Sequence, residues 1–143
     1  MAAVAFLARR DYASGELAAK LRERGFDASA VSALVADLVA RRLLDDARYA
    51  GHYVDYHRAR GQGPMRIQRD LAAFGVAAGL IEGALAAVAD WAAVARDVRR
   101  RRFGPEAPTE WAEKGRQARF LQYRGFSNDH IRSALGPDLE LDS

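Results

Sequence analysis

Three glycine–apolar pairs, Gly25-Phe26, Gly75-Val76 and Gly125-Phe126, stand fifty residues apart in the chain. Leucine precedes each glycine by four positions (Leu21, Leu71, Leu121). A β-branched aliphatic follows by six (Val31, Ile81, Ile131), and a further aliphatic by ten (Val35, Leu85, Leu135). A fixed period of this size marks tandem copies of one supersecondary unit. The glycine supplies the reason for the pattern. Just past a helix end the chain turns through positive φ, where a residue with a Cβ loses roughly 1–2 kcal/mol and glycine does not. In that register the leucines occupy the third position from the helix end and Phe26, Val76 and Phe126 the second beyond it. Those two side chains meet across a Schellman turn. Each copy therefore reads as a helix, a glycine stop with an apolar clasp, and a second helix. Asp27 and Ser127 suit the following N-cap, whereas the middle copy has Ala77 there and is expected to be the least well capped.

Helical signals elsewhere come in threes. A first helix is expected from about Ala2 to Arg10, and a second from Gly15 to Arg24 with Ser14 as its cap. A third, from Ala28 to Arg42, carries the i, i+3, i+4, i+7 stripe Val31, Leu34, Val35, Leu38. Asp45 caps a fourth, which bears Tyr49, Tyr53 and Tyr56 and ends at Gly61-Gln62-Gly63-Pro64. Pro64 opens a fifth with Ile67, Leu71 and Phe74, and the sixth carries Ile81, Ala84, Leu85 and Val88. A seventh begins near Trp91 and ends in Arg99-Arg100-Arg101-Arg102. Gly104-Pro105 breaks it, Thr109 caps an eighth to Arg124, and Ser127 a ninth to Leu135. The expected fold is all-α: three tandem three-helix repeats, at 1–44, 45–89 and 90–136, stacked into an elongated curved body, with an acidic tail at 137–143. Units of this size have little core of their own, so stacking supplies it. A long concave surface of that kind suits macromolecular partners.

Half of the 143 residues are apolar, alanine and leucine lead among these, and cysteine is absent. The chain is thus helix-prone, without disulfides or thiolate metal sites. No uncharged apolar run has the 18 or so residues of a membrane span, and Met1 to Leu7 lacks an export pattern, so a soluble, cytoplasmic protein without a membrane partner is expected. Enzyme signatures fail one by one. No Lys-Ser or Lys-Thr pair follows Gly61 and Gly63, as a phosphate loop requires. His52, His57 and His130 lack metal-ligand spacing. Asp45 and Asp46, adjacent at a helix start, point apart and suit capping better than paired-carboxylate chemistry. Neither enzyme activity nor a cofactor is expected.

The basic residues are the informative ones. The formal charge is +3, but Asp138, Glu140 and Asp142 close the chain, leaving about +6 on the rest. Twenty of the 22 basic residues are arginine, whose planar guanidinium fits phosphates and carboxylates. One group, Arg58, Arg60, Arg66 and Arg69, surrounds the glycine–proline break. A second is Arg99, Arg100, Arg101 and Arg102, with Arg96 nearby. A third includes Lys114, Arg116, Arg119, Arg124 and Arg132. Against a polyanion such sets release counterions and bind with steep salt dependence; as single residues most belong on solvated helix faces. The run of four cannot share one helix face. Tyr49, Tyr53 and Tyr56 read as a core stripe before they read as base-stacking platforms, and Trp91 and Trp111 as buried anchors.

Several of these segments, in order, resemble the RecX regulatory proteins of bacteria. They are Leu7-Ala8-Arg9-Arg10-Asp11-Tyr12 with Glu16-Leu17 and Lys20-Leu21, then Leu43-Leu44-Asp45-Asp46-Ala47-Arg48-Tyr49-Ala50, then Gly61-Gln62-Gly63-Pro64-Met65-Arg66-Ile67. The fourth and most specific is Arg119-Phe120-Leu121-Gln122-Tyr123-Arg124-Gly125-Phe126-Ser127 with Ile131. The resemblance runs from about Ala3 to Gly136. It implies tandem three-helix repeats and a protein that binds the RecA recombinase and its nucleoprotein filament, lies along the filament groove, and suppresses ATP hydrolysis and strand exchange; some members also bind DNA directly. No catalytic residues transfer. Gln62 and Met65 stand where the family often has basic residues. The contacting groups are then expected among Arg58, Arg60, Arg66, Arg69, Arg99, Arg100, Arg101, Arg102, Arg116, Arg119 and Arg124, on a monomer. Two other readings stay open on the residues alone: a helix-turn-helix DNA-binding protein without a recombinase partner, and a helical scaffold that binds only proteins.

Overall fold

A computed structural model of the chain describes Ala3, Phe6, Leu7 and residues 11–141. Among the described residues eight helices with both ends placed follow one another: α1 (Ser14–Glu23), α2 (Ala28–Ala40), α3 (Asp46–Ala59), α4 (Pro64–Ala73), α5 (Ala78–Ala86), α6 (Trp91–Phe103), α7 (Trp111–Arg124) and α8 (Asn128–Leu135). No strand occurs among the described residues, and the fold is all-α. Most of the helix expected at 2–10 lies outside the described residues, although Ala3, Phe6 and Leu7 are helical. Asp142, in the acidic tail, also lies outside them.

The glycine stops form as the spacing predicts. The amides of Phe26, Val76 and Phe126 donate to the carbonyls of Leu21, Leu71 and Leu121 at 3.2, 3.1 and 3.1 Å, and each glycine N–H donates at 3.0 Å to the carbonyl three residues back. That pair of bonds defines the Schellman turn. The glycines have φ of 90°, 82° and 98°. Two further turns of the same kind close α2 and α3. Gly61 takes the left-handed position in one; in the other it is Arg42, at φ 60°, where the sequence signal for a stop is missing.

Helix starts follow the sequence in part. Asp27 accepts from the amides of Ser29 and Ala30, Ser127 from that of His130, and Asp45 from that of Arg48. Ala77 has no side-chain acceptor to offer, so α5 starts without one. Ser14 is not the cap of α1: it is the first helical residue, after Ala13, and its N–H and Oγ both donate to Asp46 at 2.8 and 2.7 Å. Asp46 thus serves the head of a helix 32 residues away. Glu110, not Thr109, precedes α7.

The chain packs as two units, one of Met1–Tyr53 with Asp70–Ala84 and one of Val54–Arg69 with Leu85–Ser143. The core of the first gathers Phe6, Tyr12, Leu17, Leu21, Val31, Leu38 and Leu44. Each such side chain, fully buried, contributes about 1.5–3 kcal/mol. Tyr49 and Tyr53 stack at 6.0 Å and meet Phe74 edge-on, which makes that part of the tyrosine stripe packing material. The core of the second gathers Ala95, Ala118, Leu121, Phe126, Ile131, Leu135 and Leu139. Trp91 packs against it and donates its Nε1–H to the Leu85 carbonyl at 3.0 Å. Trp111 is 60% exposed and is not the buried anchor expected from the sequence.

Within each unit the head of one helix lies on a glycine turn. In the second unit the N–H groups of Gly63 and Met65 donate to the carbonyls of Arg124 and Gly125 at 2.8 and 2.9 Å. The orphan amides of α4 and the orphan carbonyls of α7 satisfy one another. The backbones come so close that a Cβ on Gly63 would stand 2.5 Å from the Gly125 carbonyl, and one on Gly125 would overlap the Cβ of Arg66. In the first unit, a Cβ on Gly15 would lie 2.7 Å from the Phe74 carbonyl oxygen and 3.0 Å from the Gly75 Cα. Gly75 and Gly125 are therefore contact surfaces as well as helix stops. At Gly25 no described atom lies within 4 Å of such a Cβ, and Phe26 is 49% exposed, against 5% for Val76 and 2% for Phe126.

Candidate polyanion-binding cleft

In the second unit three helices converge on a cleft of about 510 Å³. The end of α3 brings Arg58, Arg60 and the Gly61 turn; α6 brings Val94, Asp97, Val98, Arg101 and Arg102; α7 brings Phe120 and Arg124. Spacing explains the α6 contribution, because residues 94, 97, 98 and 101 recur at three and four positions and share a face. The Val98 methyls stand within 3.5–3.6 Å of where a Gly61 Cβ would be, so α6 fits closely under this turn.

Five arginines meet a single carboxylate in the lining. Asp97 is shared: Arg101 Nε lies 3.0 Å from one of its oxygens, and Arg100, outside the cleft lining, 3.0 Å from the other. Arg58 is 3.9 Å from Asp55, at the limit of an ion pair. The others are held by rings. Arg60 lies 4.4 Å from the centroid of Tyr56, Arg124 5.2 Å from that of Phe120, and Arg102 5.5 Å from Phe120 and 5.9 Å from Phe103. Stacking fixes the plane of a guanidinium while leaving its N–H edges to a ligand. The arrangement is a wall of oriented donors suited to several phosphates or a row of carboxylates. Tyr56 is 55% exposed and departs from the core stripe expected for it.

The arginines named from the sequence thus divide. Arg58, Arg60, Arg101, Arg102 and Arg124, which come from all three sequence groups, line the cleft. Arg99 does not: it is 6% exposed and donates to the Gly104 and Glu106 carbonyls and to Gln117 Oε1, three neutral oxygens. It holds the turn after α6 and is withdrawn from any interface. Helical rotation of about 100° per residue separates it from its neighbours in the run. Arg116 grips Glu113 at 2.9 and 2.7 Å and lies over Phe103 at 5.0 Å. The donated bonds from Arg116, and then from Gln117, hold the Glu113 carboxyl at about 2 instead of 4.5, and Glu113 in turn raises Arg116. Arg66 is half-buried against the Gly125 turn; Arg69 and Arg119 are exposed, and all three lie outside the lining. Phe120 and Val98, which shape the cleft floor, were legible in the sequence only as apolar helix positions. Among the described residues no single helix is long and apolar enough to cross a membrane.

Residues 1–38, 45–85 and 90–135 match, in order, the models of the first, second and third three-helix domains of RecX. The chain is 46% identical over 134 residues to the regulatory protein RecX of Halorhodospira halophila, covering 93% of this chain and 83% of that one. It is 38% identical over 134 residues to the regulatory protein RecX of Pseudomonas fluorescens, covering 93% and 86%. Its fold is similar to the crystal structure of RecX from Lactobacillus salivarius, with a TM-score of 0.79 at 22% identity, covering 93% of this chain and 89% of that one.

Proposed function

The chain belongs to the RecX family of regulatory proteins, and from that premise we propose that it binds the RecA recombinase and its nucleoprotein filament and holds down ATP hydrolysis and strand exchange. The observation that carries this reading is the five-arginine cleft between α3, α6 and α7. A filament offers two targets of matching chemistry, the phosphates of its bound strand and acidic protein surface. Ring-stacked guanidiniums serve either. The contact set is Arg58, Arg60, Arg101, Arg102 and Arg124, with Arg66, Arg69, Arg116 and Arg119 beyond its edges. The protein works in the cytoplasm beside its target, as a monomer when dilute.

The test is RecA's DNA-dependent ATPase, titrated with the full chain. Substoichiometric protein should slow hydrolysis, and Arg58→Glu/Arg60→Glu/Arg101→Glu/Arg102→Glu should need at least tenfold more protein for the same effect while keeping wild-type helicity. If five phosphates are engaged on a single strand, log affinity should fall with log salt at a slope of about −3 to −4, and the variant should flatten it. No inhibition at stoichiometric protein would overturn the reading. Inhibition unchanged in the variant would remove the cleft from it.

A further inference from the structure

Charge is packed densely in the cleft between α3, α6 and α7. Its lining sets five arginines against one aspartate, a balance of +4. Two charges touch the lining from outside, Asp55 beside Arg58 and Arg100 beside Asp97, and they cancel. The cavity of about 510 Å³ lies within the roughly 300–1,000 Å³ typical of small-ligand sites. Between the arginines the lining is apolar: Ala59, Ala93, Val94, Val98 and Phe120, beside the Gly61 turn.

The neighbouring depressions are spent differently. In the one formed by Arg96, Arg99 and Arg100, the first is engaged by Ser133 and Asp90 and the last by Asp97. Arg99 there is buried on three neutral oxygens. The depression beside Trp111 sets Asp138 and Glu140 against Arg132, which disfavours an anion. In the cleft, by contrast, Arg60, Arg102 and Arg124 lie on the rings of Tyr56 and Phe120, which orient the guanidiniums and leave their N–H edges to a ligand. Asp97 is held by both Arg100 and Arg101, so the one carboxylate of the lining is already taken.

A single strand carries one charge per nucleotide, with a sugar between neighbours, and meets arginines one after another along its length. Phosphates joined directly through shared oxygens bring several charges into one nucleotide-sized space. A nucleoside triphosphate carries about −4, one on each inner phosphate and nearly two on the terminal one, which matches the lining. We propose, on the reading of this cleft as a polyanion site given above, that the free chain binds there a compact run of directly linked phosphates, inorganic or at the end of a nucleotide. Arg60, Arg102 and Arg124 clasp the phosphate oxygens from their ring-set planes, and Arg58 and Arg101 complete the charge balance. The ligand enters without a metal ion, because the lining has no unengaged carboxylate to share one.

Isothermal titration of the full chain with sodium tripolyphosphate, in about 50 mM salt where screening is modest, tests this. Binding should saturate at one ligand per chain below about 1 mM, with orthophosphate at least about tenfold weaker. Magnesium-free ATP identifies the source. Tighter binding than tripolyphosphate assigns a nucleotide whose base rests on the apolar lining, and equal or weaker binding assigns the inorganic chain. Excess Mg²⁺ should weaken either ligand at least tenfold by masking its charge. Arg60→Gln/Arg102→Gln should also weaken binding at least tenfold. Arg22→Gln/Arg41→Gln, which removes the same charge from exposed positions elsewhere, should leave it within twofold, with circular dichroism verifying the helices. Binding that requires Mg²⁺, or that survives Arg60→Gln/Arg102→Gln, would contradict the proposal. Tripolyphosphate that fails to bind, while the four-glutamate variant still loses its effect on RecA, would sink this ligand and leave the cleft's part in filament binding standing.

Discussion

At the scale of single residues, two positions separate local chemistry from what the fold imposes. Arg42 occupies the left-handed turn after α2, where the other stops of this kind have glycine. Its strain of roughly 1–2 kcal/mol exceeds the extra backbone entropy glycine would lose, so Arg42→Gly should stabilise the protein by about 0.5–1 kcal/mol in urea denaturation. Glu113 is the second case. Its carboxyl titrates at about 2 in the folded chain against 4.5 when free, because Arg116 and Gln117 donate to it. The stabilisation from this group is fully present above pH 4.5 and is lost as pH falls through about 2. Carboxyl NMR should place its midpoint near the lower value, and Arg116→Gln should move it back toward the ordinary one. Arg99 shows what the residue scale hides: four adjacent arginines look alike in the sequence, but only the packing of α6 decides which one is buried.

At the scale of helices, the period was legible because the copies preserve their apolar positions. Leu21, Leu71 and Leu121 are all at most 2% exposed, and Val31, Ile81 and Ile131 at most 3%. A further buried set, Leu17, Ile67 and Gln117, escaped the pattern because the third copy replaces an aliphatic with a glutamine that binds Arg99. Start and stop signals were legible where a side chain does the work, as at Asp27, Asp45 and Ser127. They were not where the partner is distant, as when Asp46 serves Ser14. The second duty of the glycines was likewise invisible, since it depends on which helix arrives. That duty makes the equivalent positions unequal. Gly125→Ala combines a left-handed φ with backbone overlap and should cost about 3–4 kcal/mol, whereas Gly25→Ala meets only the first penalty and should cost about 1 kcal/mol. Equal losses in the two denaturation curves would refute the contact role.

At the scale of the whole chain, the cleft was legible as chemistry but not as a place. Its arginines come from Arg58 to Arg124, and the sequence lays them out as three separate groups. Only tertiary packing selects five of them and excludes Arg66, Arg69, Arg116 and Arg119 from the lining. The bonds from Gly63 and Met65 to carbonyls about sixty residues further on carry a consequence for the order of events. A ribosome releases the start of α4 long before it makes the end of α7, so those two amides stay open to solvent while half the chain is still unborn. Pulse-labelled hydrogen exchange during refolding should find them protected late, in step with the end of α7, while the Val76 amide, bonded within its own turn, closes early. The third copy would then act as the latch that sets the second.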